Sequence, residues 1–306
     1  MKKIILLISG LLILLLNACV YSVRDTLYLS NADVKAPVSS PQLNIDMLPF
    51  RGISFKVSPE ISINNSEPIS ATTENKYNPA ILSNGPNVPT NYRNLSWKSN
   101  SITLGGTMDV RLTKDFSWFA GIRYNNIDTK ELIGGSIGLG LIMSSSVISS
   151  RIDVGLTFQE YYYNATTILL RETDDWFGKV THETYVFQDM DKKLNSNPFI
   201  SLTLNTMNKK SILNYFISLG YFTQNLLNFS PKHESKLFSN GAYSYTMTDE
   251  RPDCTTGFIF LSPGIACRLT DKVNLLFYTK ILTECQLNNP SKSLIILPGI
   301  KLDYNL

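Results

Sequence analysis

Hydrophobic and polar residues alternate along most of this chain with a period of two, which is the period of a β-strand. The pattern is clearest between residues 101 and 124. The chain alternates up to Leu112, turns at a polar corner over residues 113–115, and alternates again up to Tyr124. Two such stretches joined by a short corner predict a β-hairpin with one apolar face. That face carries Ile102, Leu104, Met108, Val110, Trp118, Ala120 and Ile122.

The same unit recurs to the last residue and predicts about ten strands, each near the ~9 to 11 residues that a tilted strand needs to cross a bilayer. Further alternating stretches start near residues 52, 133, 152, 200, 213, 259, 273 and 294. Short turns on one side and long loops on the other are typical of transmembrane barrels, so both chain termini are expected on the short-turn side. The short corners are at Lys114, Ser145, Lys209 and Asp271, and they alternate with mostly longer ones at Asn64, Asn126, Asp174, Lys232 and Asn288.

The amino end has the features of a secretory leader. Lys2 and Lys3 precede an apolar run over residues 4–16, which is too short for a comfortable membrane span. The residues Leu16, Asn17, Ala18 and Cys19 then resemble a bacterial lipobox, in which small residues precede a cysteine that is acylated. The resemblance implies a signal peptide over residues 1–18 and fatty acyl chains, such as palmitate, on Cys19. An ordinary cleaved signal peptide, or an uncleaved anchor that contains a cysteine, is the alternative.

The rest of the chain divides into a tether and one domain. Residues 19–49 are polar, contain Pro37, Pro41 and Pro49, and show little periodicity, so we expect a lipidated tether with few contacts. Residues 50–306 form the predicted β-barrel domain. Within it, residues 64–98 and 225–256 are predicted as long loops, and residues 171–197 as a long loop or an extended hairpin tip.

Composition and charge narrow the possible partners. With 43% hydrophobic and 17% charged residues in a chain of 306, the protein is ordered. The formal net charge of +3 is small, and no basic cluster interleaved with aromatic residues stands out. Nucleic acid is therefore not expected as a partner.

Taken together, the pattern resembles the small outer-membrane β-barrels of Gram-negative bacteria, the porin-like and the attachment or invasion-type barrels. The resemblance implies an all-β fold, a closed antiparallel up-and-down transmembrane barrel, which lies in outer-membrane lipid and is inserted by the barrel-assembly machinery. Such barrels often end in an aromatic residue, whereas this chain ends in Leu306 with Tyr304 in matching alternation.

The polar face of the predicted strands carries charges of both signs. A barrel of roughly ten strands is narrow and is usually filled by its own side chains. We therefore expect a mixed-sign salt-bridge network in the lumen rather than a conducting pore, because paired charges satisfy each other away from water. The predicted network is Lys56, Asp109, Arg111, Arg123, Arg151, Asp153, Arg268, Lys301 and Asp303.

Histidine and cysteine residues give little sign of chemistry. His182 and His233 both fall in predicted loops, and no GxSxG or HExxH motif is present, so no catalytic site, metal or cofactor is expected. Beyond the lipobox, Cys254 and Cys285 fall near each other across the hairpin that turns at residues 271–272. In an oxidising exterior they predict a disulfide. Three free thiols, including Cys267, are the alternative.

These features predict a non-enzymatic, lipid-anchored protein of the outer membrane that presents long extracellular loops to a ligand or partner protein. A narrow channel or porin is one alternative. A soluble lipid-anchored periplasmic barrel that binds an apolar ligand is another. The residues on the outside of the barrel distinguish a membrane barrel from a soluble one. A membrane barrel exposes its apolar face to lipid and encloses its charges, whereas a soluble barrel buries its apolar face and exposes its charges.

Overall fold

The computed structural model describes residues 22–46, 52–66, 68–74, 92–145, 147–174, 179–207, 211–226, 244–249, 255–285 and 294–306. These ranges contain fourteen strands and no α-helix. In chain order the strands are β1 (Ser22–Lys35), β2 (Ser54–Asn64), β3 (Ile69–Glu74), β4 (Tyr92–Lys98), β5 (Ser101–Arg111), β6 (Phe116–Ile127), β7 (Lys130–Ser144), β8 (Ile148–Asp174), β9 (Val180–Thr206), β10 (Leu213–Asn225), β11 (Ser244–Asp249), β12 (Thr255–Arg268), β13 (Val273–Glu284) and β14 (Leu294–Asn305).

Ten of these strands close into a barrel. The order around the wall is β2, β5, β6, β7, β8, β9, β10, β12, β13 and β14, and β14 then pairs with β2. Each neighbouring pair is antiparallel. Closure removes the unpaired sheet edges that an open sheet would present. The predicted all-β, closed up-and-down barrel of about ten strands is confirmed.

The polarity of the wall is the reverse of that in a water-soluble protein. Leu104, Leu156 and Ile296 point outward and are 49%, 41% and 50% exposed. Arg151 and Asp153 point inward and are 0% and 1% exposed. A soluble barrel would bury the first set and expose the second, so the structure argues against that alternative. Among the residues that the structure describes, no helix is both long and apolar enough to cross a membrane.

Strands β8 and β9 continue well past the barrel as one long hairpin. Beyond the wall, β1 runs antiparallel to β8, with Ser22 opposite Asp174 and Lys35 opposite Tyr162. The other edge of β1 pairs in parallel with β11 and β4, and β4 pairs with β3. We call β1, β3, β4, β11 and the projecting ends of β8 and β9 the outer sheet. Of the two options predicted for residues 171–197, the extended hairpin is therefore the one observed.

Two segments predicted as long loops contain regular structure. Residues 64–98 contain β3 and β4, and residues 225–256 contain β11. Strands β4 and β11 were not recognised because their partner, β1, lies far away in sequence, and β3 pairs with β4. The corner near Asn126 is also tighter than predicted. Asp128 and Thr129 both have positive φ, 45° and 67°, as in the two-residue turn that best fits a twisted hairpin.

That turn holds the outer sheet against the barrel. The Asp128 carboxylate accepts a hydrogen bond from Lys98 of β4, with an Nζ to Oδ1 distance of 2.7 Å. Lys35 of β1 lies 3.3 Å from the same carboxylate. These two lysines lower the pKa of Asp128, the Lys98 hydrogen bond first, so the contact persists at neutral pH.

An apolar cluster fills the lumen at the end where the long loops lie. Trp97 of β4 packs against Phe258 of β12 with ring centroids 5.8 Å apart, and Phe222 of β10 stacks on Phe258 at 5.2 Å. Leu29 and Val34 of β1 belong to the same buried cluster. Apolar side chains of the outer sheet and of the barrel wall therefore seal this mouth of the barrel together.

Between β1 and β2 the chain passes through the barrel. Residues 36–46, which we call the lumen segment, lack regular secondary structure, and residues 36–45 are all buried. The segment starts beside Trp97, whose indole N–H donates to the Ala36 carbonyl (2.9 Å), and ends at Asp46 beside Arg151 near the start of β8. Eleven extended residues reach about 36 Å, enough to cross the ~30 Å hydrocarbon layer.

The expectation of a tether with few contacts is therefore wrong for residues 22–46. The physical reason is that this polar stretch finds its partners on inward-facing side chains of the wall and on the outer hairpin, which its own sequence does not show. The expectation for the termini is right for Leu306, whose N–H donates to the Phe55 carbonyl at the short-turn end. It is wrong for Ser22, which lies opposite Asp174 at the long-loop end. Residues 1–21 lie outside the described residues.

Replacing an outward residue in the middle of a strand with a charge tests the polarity of the wall. We expect Val154→Arg to destabilise the folded barrel by about 2–4 kcal/mol and the matched variant Ile148→Arg, at the end of the same strand, by about 0–1 kcal/mol. The cost depends on depth because only the bilayer centre lacks water. Urea unfolding in lipid vesicles measures both, and equal effects at the two positions would contradict the membrane orientation.

Candidate functional site in the barrel lumen

Basic side chains of the wall donate hydrogen bonds to the backbone of the lumen segment. The donors come from four strands, β2, β6, β13 and β14, and all four are buried. Hydrogen bonds to charged groups contribute about 1.5–3 kcal/mol each. The carbonyls thus provide acceptors for cations that have left water. The contacts are Lys56 Nζ to Ile45 O (2.7 Å), Arg123 Nη1 to Ser40 O, Lys280 Nζ to Pro41 O (2.6 Å) and Lys301 Nζ to Leu43 O.

The side chain of Gln42 fixes the middle of the lumen segment. Its Oε1 accepts a hydrogen bond from the Ser136 hydroxyl at 2.8 Å, and its Nε2 lies 3.4 Å from the Gly106 carbonyl. Gly121 of β6 makes the approach possible, because a Cβ there would lie 1.8 Å from Gln42 Oε1. The absence of a side chain at Gly121 therefore provides the space that Gln42 occupies.

The end of the segment nearest the apolar cluster pairs with Gln224 of β10. The backbone N–H of Ser39 donates to Gln224 Oε1, and Gln224 Nε2 donates to the Pro37 carbonyl, both at 3.0 Å. One amide side chain thus satisfies a donor and an acceptor of the backbone, as a neighbouring strand would do. Without it, both buried groups would lack partners, which costs about 1–3 kcal/mol each.

At the short-turn end, the lumen segment joins an ionic network centred on Arg151. The guanidinium donates to Asp109 Oδ2 at 2.6 Å, to Asp153 Oδ1 at 2.7 Å and to Asp46 Oδ2 at 3.2 Å. Asp46 belongs to the lumen segment, whereas the other two carboxylates belong to β5 and β8. The inward face of β7 leaves room for this network, because a Cβ at Gly140 would lie 2.7 Å from both Arg151 and Asp153.

A second cation shares the same carboxylates. Lys56 Nζ lies 3.5 Å from Asp109 and 3.8 Å from Asp303. Asp109 therefore lies between Arg151 and Lys56, and neutralises part of each charge. A lumen network with alternating signs is stable only while its members stay together, because removing one leaves an uncompensated charge away from water.

The structure places the nine predicted lumen charges as follows. Lys56, Asp109, Arg151, Asp153 and Asp303 form the network described above. Arg123 and Lys301 contact the lumen segment, and the buried Arg111 donates to the Lys114 carbonyl at 2.5 Å. Arg268 is only partly buried, at the short-turn end of β12.

Sequence reasoning missed Glu60 and Lys280 in the lumen. Both lie on the inward face of their strands, and the Tyr278 hydroxyl donates to Glu60. Lys280 could have been found from the alternation of β13, which places it on the inward face together with Leu276, Tyr278 and Leu282. Glu60 follows Pro59 within β2, where the alternation continues through Ile61 and Ile63.

The histidine and cysteine residues that the structure describes lie away from this network. His182 lies on the projecting part of β9, with its Nδ1 3.8 Å from the Glu172 carboxylate, and His233 lies outside the described residues. Cys267 is a partly buried thiol and Cys285 an exposed one. Cys254 lies outside the described residues, so the Cys254–Cys285 disulfide stays a prediction. Within the described part of the chain, no group of three or more potential ligands could hold a metal ion.

No family model matches the sequence, and no curated protein is significantly similar to it. Solved structures of outer-membrane proteins align over most of the chain, at low similarity. The outer membrane protease OmpT from Escherichia coli has a TM-score of 0.41 and 10% identity, over 86% of this chain and 99% of OmpT. The NanC porin has a TM-score of 0.32 and 8% identity, over 81% of this chain and 100% of NanC. Ail, the attachment invasion locus protein of Yersinia pestis, has a TM-score of 0.27 and 5% identity, over 83% of this chain and 97% of Ail. At these TM-scores the likeness carries no argument about activity.

Substituting the central arginine tests the network. We expect Arg151→Met to destabilise the barrel by about 3–5 kcal/mol, because buried carboxylates lose their partner. The matched variant Arg24→Met removes an exposed pair with Glu172 (3.5 Å) on the outer sheet and should cost about 0–1 kcal/mol. Urea unfolding of the reconstituted protein measures both. A small, similar effect at the two positions would show that the network contributes little.

Proposed function

We propose that this chain is a non-enzymatic protein of the outer membrane, whose barrel is sealed and whose outer sheet and loops bind a ligand or partner protein at the cell surface. The passage of residues 36–46 through the whole lumen is the observation that carries this proposal. A barrel that is filled by its own chain and closed by an apolar cluster is suited to holding the outer sheet and loops in place rather than to conducting ions.

The outward face of the wall supports a location in a bilayer. Large apolar side chains cover it from one strand to the next, and a continuous exposed surface of this kind would be unstable in water. Closed barrels are one of the two architectures that satisfy every backbone group inside a membrane. A bacterial barrel of this kind reaches its membrane through the barrel-assembly machinery, which we propose as a transient partner.

The projecting hairpin supports a binding role for the outer sheet. On one face of the projecting part of β9, Val186 and Met190 are 50% and 57% exposed. On its other face, the rings of Tyr185 and Phe187 stack with centroids 6.5 Å apart. Carboxylates such as Asp189 lie on the same strand. Aromatic and apolar residues bordered by charges are the usual composition of a protein-binding surface.

Lipid anchoring at Cys19 is a separate proposal that rests on the lipobox-like residues 16–19. Because Ser22 lies at the long-loop end, an acylated Cys19 would lie on the same side of the membrane as the outer sheet. Acyl chains contribute about 0.8 kcal/mol per buried methylene, so several chains would add firm membrane attachment to that of the barrel.

Conductance tests the sealed lumen. We expect the full-length protein, inserted in planar bilayers, to show no steady current, because its lumen segment leaves no continuous water path. A change in gel mobility on heating confirms that the sample is a folded barrel, and cell fractionation confirms the outer membrane. An open porin reconstituted in the same way is the control. Steady single-channel current from the folded, unmodified protein would overturn the proposal.

Intact mass and palmitate labelling test the anchor. We expect the mature protein to carry acyl chains, and Cys19→Ala to lose them, because only the cysteine at the new amino terminus is acylated. Cys267→Ala is the matched control and should keep the label. An unlabelled wild-type protein would show that the leader is of the ordinary cleaved or uncleaved kind.

A further inference from the structure

We propose that the barrel encloses an anion-selective path. The lumen segment keeps this path closed by placing its backbone carbonyls on the cations that line it, and the apolar cluster closes its long-loop mouth. This activity goes beyond the surface role proposed above. It depends on the wall alone, so it can fail while the proposed function holds.

The charges of the wall favour anions once the lumen segment is set aside. Among the described residues, six cations and four carboxylates face the interior of the wall, and the partly buried Arg268 and Glu284 add one charge of each sign at its two ends. The lumen segment adds the carboxylate of Asp46, which pairs with Arg151, so its departure makes the interior more positive. The cations are Lys56, Arg111, Arg123, Arg151, Lys280 and Lys301, and the carboxylates are Glu60, Asp109, Asp153 and Asp303.

The two signs are not spread evenly along the lumen. Three carboxylates gather around Arg151 and Lys56 near the short-turn end. Farther in, Glu60 is the acidic neighbour of both Arg123 and Lys280 among the described residues. A cavity of about 20 Å³ lies at this point, lined by Ser40, Glu60, Ser62, Thr103, Arg123 and Lys280. That is room for about one water molecule, so a small polar space already exists beside the least compensated cations.

The carbonyls of the lumen segment occupy the positions that anions would take. Ser40 and Pro41 accept from Arg123 and Lys280, and Leu43 and Ile45 accept from Lys301 and Lys56. These carbonyls belong to residues 40, 41, 43 and 45, so the cations form a series along the lumen, which we call the ladder, rather than one deep site. Successive sites of moderate strength are what conduction requires, because an ion must be able to leave each of them.

The space that the segment fills is wide enough for ions. An extended chain packed inside a protein takes up about 4.8 Å in one direction and about 10 Å in the other. Its removal would leave a water-filled slot of similar width along the lumen. The wall would stay closed, because each of its ten strands pairs with two neighbours in the wall.

The test compares the full-length protein with a shortened chain that lacks residues 22–46, both shown to be folded barrels by heat-dependent gel mobility. Currents are recorded in planar bilayers across a potassium chloride gradient. We expect the full-length protein to be silent. The shortened chain should give steady current with a reversal potential of the sign that chloride sets. A folded shortened chain that is silent, or that prefers potassium, would overturn the inference and leave the proposed function intact.

Charge substitutions in the shortened chain locate the selectivity. The double variant Lys280→Glu with Lys301→Glu should reverse the sign of the reversal potential, because it replaces two rungs of the ladder with carboxylates. Lys114→Glu makes the same change at an exposed short turn and should leave the sign as it was. If both variants behave alike, the ladder does not set the selectivity.

A second measurement applies if the shortened chain does not fold. The full-length protein is recorded at rising urea concentration, while circular dichroism follows the barrel. The segment is held by hydrogen bonds without regular structure, so it should loosen before the wall does and give chloride-selective openings. A barrel that stays silent until it unfolds, or opens with a preference for potassium, would overturn the inference. Current from the untreated protein would instead contradict the proposed function.

Discussion

The contact between the cations of the wall and the carbonyls of residues 36–46 is the interaction on which the interior depends. A lysine or arginine enclosed in a membrane barrel has lost most of its water, and the cost is several kcal/mol unless acceptors replace it. Carboxylates provide them near Arg151, where Asp109 and Asp153 lie within 2.7 Å. Elsewhere the backbone of the lumen segment provides them. The wall and the segment are thus one polar core, in which each provides hydrogen-bond partners for the other.

The outer sheet follows from the same arrangement. The chain enters the lumen at the long-loop end, and just before this point β1 pairs with the projecting part of β8. The apolar side of β1 covers the mouth together with Trp97 and the phenylalanines of β10 and β12. The filling of the lumen and the closing of its mouth therefore come from one continuous path of the chain.

The alternation of residues was enough to predict the barrel, because in a membrane wall every second residue meets hydrocarbon and the others meet a polar interior. Leu104 and Leu156 are examples of the residues that face outward, and Arg151 and Asp153 of those that face the polar interior. The same rule predicts which charges point inward but not what they touch. Ser39 and Gln224 are 185 positions apart, and nothing local in either stretch indicates the contact.

The lumen segment and the outer sheet were missed for the same physical reason. Residues 36–46 have no period, because their partners surround them on several strands rather than on one face. Strands β4 and β11 pair with β1, which is distant in sequence, and β3 joins the sheet through β4, so these short strands carry little local sign of their pairing. Prolines at 37 and 41 added to the impression of a linker, although proline carbonyls are good acceptors, and those of Pro37 and Pro41 are used here.

The route of the chain also constrains the order of assembly. Residue 22 emerges from the ribosome long before β14, yet it ends beyond the long-loop face, and the chain must come back through the barrel before β2 can begin. Pro41 meets Lys280 across 239 positions, and contacts so distant in sequence form slowly. Because β14 is the last strand of the chain, closing the seam between β2 and β14 around a lumen segment already in place would avoid pulling a free terminus through a finished ring. The lumen segment would then be the core around which the wall of the barrel closes.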